Sequence, residues 1–336
     1  MWNFSIGLSF RLLMRTLPFV LFRIAVYFGA AFAYLFVTGT GAGIGWGIGG
    51  LGDDGFRAMS TFWGGAIGLG IVGLVMYWIR EYILYIVKAG HIAVLVKLID
   101  EEPIPEGRSQ IGYARAEVTK RFGEASILFA VDQLIKGVLR AITGLIRGIF
   151  TVLPIPGAKQ LVTILRALLR VAVGFIDEVI LAYNIRTQSD NPWQSARTAL
   201  VLYGQNYKPM LINAAWITVF VYGLAAIVFL IVLAPAAAIA NVFPGGWSAA
   251  GVVFALILAW SVKAAFLEPF AVACLMQTFF KAIEGQTPNP EWENRLEGMS
   301  DKFRELKEKA VGSGAPADVD ADSPANPAPQ NAPANP

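Results

Sequence analysis

Cysteine and histidine are almost absent from this sequence. Its 336 residues include one cysteine, Cys274, and one histidine, His91. A single cysteine cannot form an intramolecular disulfide or supply a CxxC pair for a metal. A single histidine has no partner for a histidine-based metal cluster, so we predict no metal site. We interpret His91 as a packed or interfacial residue, with a functional role as the lesser alternative.

The sequence also lacks the motifs of common catalytic sites. It contains no HExxH, no Walker A, no GxSxG and no Cys/His pairing, so we predict no catalytic residues, no cofactor and no enzymatic activity. Gly45, Gly47 and Gly50 formally satisfy GxGxxG, but no strand precedes them and no βαβ unit surrounds them. We predict that this glycine-rich segment is a flexible external loop, acidic at Asp53 and Asp54.

Charged residues are scarce. They make up 15% of the chain, against roughly 25% in soluble proteins. Hydrophobic residues make up 56%, and the mean hydropathy is +0.56. These values predict an integral membrane protein. The net charge is only +3 and no arginine-rich motif occurs, so we predict no nucleic-acid partner.

Four apolar runs are long enough to cross a hydrocarbon layer of about 30 Å, at about 17–37, 61–79, 210–233 and 249–280. The predicted fold is therefore all-α and polytopic. Residues 1–16 carry Arg11 and Arg15 but no acid, and the positive-inside rule then predicts that both termini are cytoplasmic, in the plasma (cell inner) membrane. A cleaved signal peptide ending near Ala33 is a minor alternative.

A central helical hairpin is predicted over 124–186, with arms Glu124–Leu153 and Lys159–Arg186 joined by PIPGA. On each arm the polar residues share one arc of about 80 degrees, and the rest of the surface is apolar. The first stripe comprises Asp132, Lys136, Arg140, Thr143 and Arg147, and the second comprises Lys159, Thr163, Arg166, Arg170, Gly174, Asp177 and Asn184. We call both stripes together the cationic seam.

Three interpretations of the cationic seam compete. A soluble amphipathic helix needs a broad polar face and is disfavoured; the hairpin either lies in the bilayer interface or forms a buried polar lining. Residues whose numbers sum to roughly 311 lie level in such a hairpin, which places Asp132 beside Asp177 and Glu178. Counted with Glu178, which lies just off the second stripe, the two stripes carry six bases against three acids, so we predict contact with an anionic solute or lipid headgroup.

Two further features follow in the C-terminal part. Pro269 predicts a break in the last span near Phe266, and Lys263 and Glu268 are either functional residues inside the membrane or interfacial ones. Beyond it, a cytoplasmic amphipathic helix is predicted over 288–310, followed by a disordered tail over 311–336. The helix has heptad-spaced apolar residues that should pack on the protein's own surface or on a second copy, which are Trp292, Leu296, Met299, Phe303, Leu306 and Ala310.

Two stretches, AYNIRTQSDNPWQSARTALVLYGQNYKPML and FLEPFAVACLMQTFFKAIEG, resemble the end of the choline transporter-like family. Ser195-Ala196-Arg197 is the most specific part of this resemblance. It implies a shared polytopic scaffold rather than a shared substrate, because this chain has fewer spans and no large external loop. No binding residue of the family is carried over.

We therefore predict a passive or ion-coupled membrane transporter or channel for a small solute or lipid. The alternative is a membrane scaffold that binds or shapes the cytoplasmic leaflet and recruits partners through its C-terminal helix. The expected partners are membrane lipids, an anionic solute or headgroup, and a second copy bound through 288–310. The candidate pathway or lipid-contact residues are Asp132, Lys136, Arg140, Arg147, Arg166, Arg170, Asp177, Lys263 and Glu268.

Overall fold

The computed structural model of the protein describes residues 3–122, 125–152, 174–242 and 259–313, and within these ranges it contains helices but no strand. The helices are α1 (Ile6–Arg15), α2 (Leu17–Gly49), α3 (Asp54–Ile99), α4 (Gln110–Phe122), α5 (Ala125–Val152), α6 (Ile176–Thr187), α7 (Pro192–Gln205), α8 (Tyr207–Val242), α9 (Glu268–Ala282), α10 (Pro290–Met299) and α11 (Asp301–Gly312). A π-helical segment, Lys263–Leu267, precedes α9.

Four helical segments are long and apolar enough to cross a membrane, which confirms the predicted all-α, polytopic architecture. They are Leu17–Gly49, Asp54–Tyr77, Tyr207–Ile231 and Ala259–Ala282. The first three expose most of their side chains, as expected for surfaces that meet lipid, whereas the fourth is mostly buried inside the protein.

The glycine-rich segment is helical, so the prediction of a flexible loop there was wrong. Helix α2 continues through it to Gly49 and packs along α3. A Cβ atom added to Gly45 would lie 2.0 Å from the carbonyl oxygen of Ser60, and one added to Gly41 would lie 2.3 Å from that of Gly64. Glycine spacing here permits backbone contact between two helices, as in other close-packed membrane helices.

Local capping agrees with the sequence at two helix starts. The Asn191 side chain accepts hydrogen bonds from the backbone N–H groups of Trp193 and Gln194, and α7 begins at Pro192. Asn289 accepts from the N–H of Glu291 at the start of α10. In both helices an asparagine caps free N–H groups and a proline occupies the first turn, where its missing N–H costs nothing.

The last span is irregular where the break was predicted, but its helix continues through the irregularity; the C-terminal helix, predicted as one, is divided. The π-helical segment Lys263–Leu267 lies directly before Pro269, whose ring and missing N–H disrupt regular α-helical bonding. The C-terminal helix ends at Met299 and restarts at Asp301, because the Ser300 backbone is extended and its Oγ caps the N–H of Phe303.

The core lies beyond the membrane-spanning part of α3. There the second half of α3 packs against α6, and α6 in turn contacts α5, α7 and α9. Helices α10 and α11 pack on α7 and α5. The predicted heptad positions Leu296, Phe303 and Leu306 are fully buried in this contact.

Several predictions fall outside the described residues. These are the PIPGA connector, the first part of the second hairpin arm with Arg166 and Arg170, and the tail from 314 onward. The described parts of the hairpin are α5 and α6.

Candidate functional site: a buried charge cluster

Ionisable side chains from five helical segments meet where α2, α3, α5, α6 and the last span approach one another. They comprise four bases and four acids. We call them the charge cluster, which consists of Arg23, Lys88, Lys136, Lys263, Asp132, Asp177, Glu178 and Glu268. Lys88 lies in the second half of α3, whose first half, Asp54–Tyr77, is long and apolar enough to cross a membrane. The cluster therefore lies toward one end of the membrane helices.

The strongest link joins α3 to α6. The Lys88 Nζ atom donates a 2.7 Å hydrogen bond to Glu178 Oε1, and the Glu178 side chain is only 8% exposed. Burial is the largest single effect on the pKa of Lys88 and lowers it, but the carboxylates of Glu178, Glu268 and Asp177 together raise that pKa above its usual value. Burial conversely opposes ionisation of Glu178, and Lys88 together with Arg23 holds the pKa of that carboxyl below its usual value. Both groups are therefore charged.

Lys136 is shared between two carboxyl groups on different helices. Its Nζ atom lies 2.7 Å from Asp132 Oδ2 on the same helix and 3.8 Å from Asp177 Oδ2 on α6. Asp177 has the looser contact, and its Oδ1 is buried without a hydrogen bond among the described residues. Burial, followed by the neighbouring Glu178 and Asp132 carboxylates, raises the pKa of Asp177 to about 7.

Asp132 is the more firmly held of the two aspartates. Burial raises its pKa, and Lys136 opposes that shift both as a charge and as a hydrogen-bond donor. Burial lowers the pKa of Lys136, but Asp132 and then Asp177 raise it overall. The pKa of Asp132 is thus raised by burial in spite of Lys136, and that of Asp177 reaches about 7.

Arg23 brings α2 into the cluster. Its side chain is buried, and its Nε and Nη1 atoms have no hydrogen-bond partner in the part of the chain that the structure describes. His91 lies nearby on α3, where its Nε2 is 2.8 Å from Thr16 Oγ1 and its ring stacks on Phe19. Burial and then the charge of Arg23 lower the pKa of His91 well below its usual value, so His91 is neutral and packed.

The last span contributes a second pair. Lys263 Nζ donates a 2.8 Å hydrogen bond to Glu268 Oε1 across the π-helical segment, and the ammonium group also lies 5.1 Å from the centre of the Tyr222 ring. The Glu268 carboxylate further contributes to the raised pKa of Lys88. This electrostatic link joins the Lys263–Glu268 pair to the rest of the cluster.

Comparison of the chain with family models, curated proteins and solved structures found no match.

The structure brings together part of the predicted seam. Asp132 approaches Asp177 and Glu178, as the hairpin pairing predicts, but Lys136 and Lys88 lie among these acids, so this end of the seam is charge-paired rather than cationic. Arg140 is exposed on α5, the Arg147 side chain lies outside the described part of that helix, and Arg166 and Arg170 lie outside the described residues.

Sequence reasoning did not assign Arg23, Lys88 or Glu178 to the site. Arg23 is a lone base inside the first predicted span, and an ionisable group within such a run is itself a functional signal. Glu178 lies just off the second polar stripe, and Lys88 lies on a different helix ninety positions away. Only the packing of α3 against α6 pairs them.

Proposed function

We propose that this protein is a proton-coupled membrane transporter for a small solute, and that Asp177 in the charge cluster binds the coupling proton. The observation that carries the proposal is the placement of Asp177. Its Oδ1 is buried and makes no hydrogen bond within the described residues, and its Oδ2 lies 3.8 Å from Lys136 Nζ, which Asp132 holds more closely. A buried ionisable group whose pKa is strongly shifted by burial and by neighbouring charges is a candidate functional residue.

The balance of charge in the cluster makes it sensitive to one proton. Four bases face four acids, so the fully ionised cluster is neutral. Adding one proton leaves an uncompensated positive charge in a site where solvation is poor. The structure must then rearrange, or a compensating anion must enter. Either response couples proton binding to a movement or to an anionic solute.

Lys136, which contacts both aspartates, can link protonation of Asp177 to a movement of the hairpin arms. Protonation of Asp177 removes one of the two carboxylates that attract Lys136, and the ammonium group then pairs with Asp132 alone. Because Asp132 and Lys136 are both on α5 whereas Asp177 begins α6, this loosens the electrostatic contact between the two hairpin arms. Ion coupling requires that proton affinity differ between two conformations, which here are two arrangements of the hairpin arms.

The class of solute rests on the sequence. The cationic seam, counted with Glu178, carries six bases against three acids, which favours an anionic solute or a lipid headgroup. The resemblance to the choline transporter-like family supports a transporter scaffold, while a quaternary ammonium would be attracted to acids and aromatic faces rather than to a cationic seam.

A non-transporting scaffold is the second candidate. Its expected recruitment device is the apolar stripe of 288–310, and the burial of Leu296, Phe303 and Leu306 against the protein's own helices weighs against that use. A homo-oligomer through this stripe stays a prediction. The closed, charge-balanced cluster favours transport because a scaffold has no need of an ionisable group with a pKa near neutrality.

The test is proton flux in proteoliposomes that contain a trapped pH-sensitive dye. A panel of small carboxylates, phosphate esters and quaternary amines is added outside, with an ionophore collapsing the membrane potential. We expect one class of solute to drive proton movement in the native protein, and Asp177→Asn to abolish that movement. Asp190→Asn is the matched control because Asp190 is exposed and lies outside the cluster.

Two results decide between the candidates. Solute uptake that is independent of pH and unchanged in Asp177→Asn would contradict proton coupling. Absence of any solute-driven flux across the panel, in protein shown to be folded, would favour the scaffold.

A further inference from the structure

Helix α1 has three distinct faces, and only one of them is buried. Ser9, Leu12 and Leu13 are buried. Ile6, Phe10 and Met14 are large apolar residues that are 38%, 51% and 41% exposed. Arg11 and Arg15 are exposed on a third face, about 60 and 100 degrees further round the helix from Met14.

The buried face fixes the orientation of α1. Gln277 Nε2 donates a 2.7 Å hydrogen bond to Ser9 Oγ, which is also 3.0 Å from Cys274 Sγ. The backbone N–H of Ser5 donates to Gln277 Oε1 at 3.0 Å. Because these bonds attach α1 to the last membrane span, the exposed apolar face cannot rotate inward.

The exposed apolar face is continuous with surfaces of the membrane spans. The Phe10 ring packs edge-on against Phe266 of the last span, with ring centres 6.5 Å apart. Helix α2 starts one residue after α1 and exposes Leu17 and Leu21 in turn. An apolar strip thus runs along α1 into a helix that is long and apolar enough to cross the bilayer.

We propose that α1 is a lipid-binding helix that lies in the headgroup boundary and selects anionic phospholipids. Ile6, Phe10 and Met14 enter the acyl boundary, and Arg11 and Arg15 bind lipid phosphates. An apolar face flanked by basic residues and lying at the membrane end of a span is the arrangement of an interfacial helix. Helix α1 contains no acid that would oppose anionic headgroups.

Two glutamates near Arg11 and Arg15 weaken the attraction between these arginines and anionic lipid but do not cancel it. A hollow of about 300 Å³ is lined by Arg11, Arg15, Glu101 and Glu102. Glu102 is paired with Lys97, which neutralises one of the two acids. Guanidinium groups bind phosphate in a bidentate manner and are weakly hydrated, so arginine suits this role better than lysine.

The insertion of the apolar face is tested by spin labelling of the full chain in nanodiscs. Cys274→Ala supplies the cysteine-free background and keeps the Ser9–Gln277 hydrogen bond. Nitroxides are placed at Phe10→Cys and, separately, at Arg11→Cys. We expect the label at 10 to relax preferentially with oxygen and the label at 11 with a water-soluble nickel chelate. Equal nickel access at both positions would overturn insertion.

Lipid selection is tested with a fluorophore attached at Phe10→Cys and lipids that carry a quenching nitroxide on the headgroup. The measurement compares the quenching by labelled phosphatidylglycerol with that by labelled phosphatidylcholine. We expect enrichment of the anionic lipid of about fivefold for each arginine, decreasing with salt. Arg11→Gln/Arg15→Gln should remove most of it. Arg295→Gln/Arg304→Gln, which removes the same charge from exposed residues of α10 and α11, should retain it.

Two outcomes would contradict the lipid assignment. Equal enrichment in both double variants would mean that net charge alone attracts the lipid. Strong dipolar coupling between labels at position 10 on different molecules would mean that a second copy of the chain covers this face instead.

Discussion

Lys88 and Glu178 form a direct ion pair, 2.7 Å between Nζ and Oε1, that fastens the extension of α3 to the start of α6. The glutamate is nearly inaccessible, and the lysine is partly exposed. Each group offsets the cost of burying the other. The pair therefore sets the position of α6, and with it the position of Asp177 beside Lys136.

Breaking this pair on one side should destabilise the protein more than removing both partners. We expect Lys88→Met and Glu178→Met each to lower the free energy of unfolding by about 3 kcal/mol, because each leaves a buried charge unpaired. The double variant should recover most of that loss. Unfolding in mixed micelles with increasing SDS measures the difference.

The matched control is Glu102→Gln, which breaks the exposed pair with Lys97. An exposed pair contributes about 0 to 1 kcal/mol, so this variant should be close to native. Additive losses in the double variant would show that Lys88 and Glu178 are held by separate interactions.

The raised pKa of Asp177 predicts how stability depends on pH. In the folded protein Asp177 binds a proton below about pH 7, whereas in the unfolded chain its pKa is near 3.8. Between these values the native state holds the extra proton, so the contribution of this residue to stability falls as pH rises. The slope approaches about 1.4 kcal/mol per pH unit and flattens above about pH 7.

Asp177→Asn should remove this slope because asparagine does not titrate. The measurement is SDS unfolding at a series of pH values, together with the infrared band of a protonated carboxyl group that disappears as pH rises. Asp190→Asn should keep both the slope and the band. A band that persists unchanged in Asp177→Asn would assign the titration to another carboxyl group.

Features set by neighbouring residues could be predicted from the sequence. The caps at Asn191 and Asn289 and the irregularity before Pro269 depend on side chains within a few positions of the affected backbone. The pairing of Lys263 with Glu268 likewise lies within one helical segment. In each case the residue that causes the feature lies within one or two helical turns of the backbone or side chain that it affects.

A contact between distant segments and one local competition between alternatives could not be predicted from the sequence. Repeated glycine is equally compatible with a flexible loop and with close helix contact, and only the approach of α3 decides for the helix at Gly41 and Gly45. The apolar heptads continue in phase across Ser300, so periodicity alone favours one helix there. The capping hydrogen bond of Ser300 competes locally with helix continuation, and the chain breaks.

The glycine contact between α2 and α3 should tolerate no side chain. Gly45→Ala places a methyl group 2.0 Å from the Ser60 carbonyl oxygen, and a backbone atom cannot move aside without separating the helices. We expect a loss of about 1 to 3 kcal/mol, the cost of overpacking. SDS unfolding measures it, and a disulfide engineered between α2 and α3 reports the separation.

Gly43 and Gly47 supply the matched controls because a Cβ atom there meets nothing within 4 Å. Gly43→Ala and Gly47→Ala should be neutral or stabilising by about 0.5 to 1 kcal/mol, since alanine favours the helix. Equal losses at positions 43 and 45 would indicate that glycine flexibility, rather than close packing, matters in this segment.

Phe303 should hold the C-terminal helices on the bundle. Its side chain is fully buried where α11 packs against α5 and α7. Phe303→Ala leaves a large cavity at a cost of about 3 to 5 kcal/mol, which exceeds what the surrounding surface ion pairs return. We expect α10 and α11 to detach, with faster tryptic cleavage after Lys302 and Arg304 and little change in the membrane spans.

Val311→Ala is the control for this detachment because Val311 is 67% exposed on the same helix. It should leave the cleavage rate unchanged. The released apolar stripe would then be free to pair with a second copy, so Phe303→Ala should also raise the dimer fraction in light scattering. A variant that detaches and stays monomeric would contradict the predicted homo-oligomer through 288–310, because its contact surface would be open and unused.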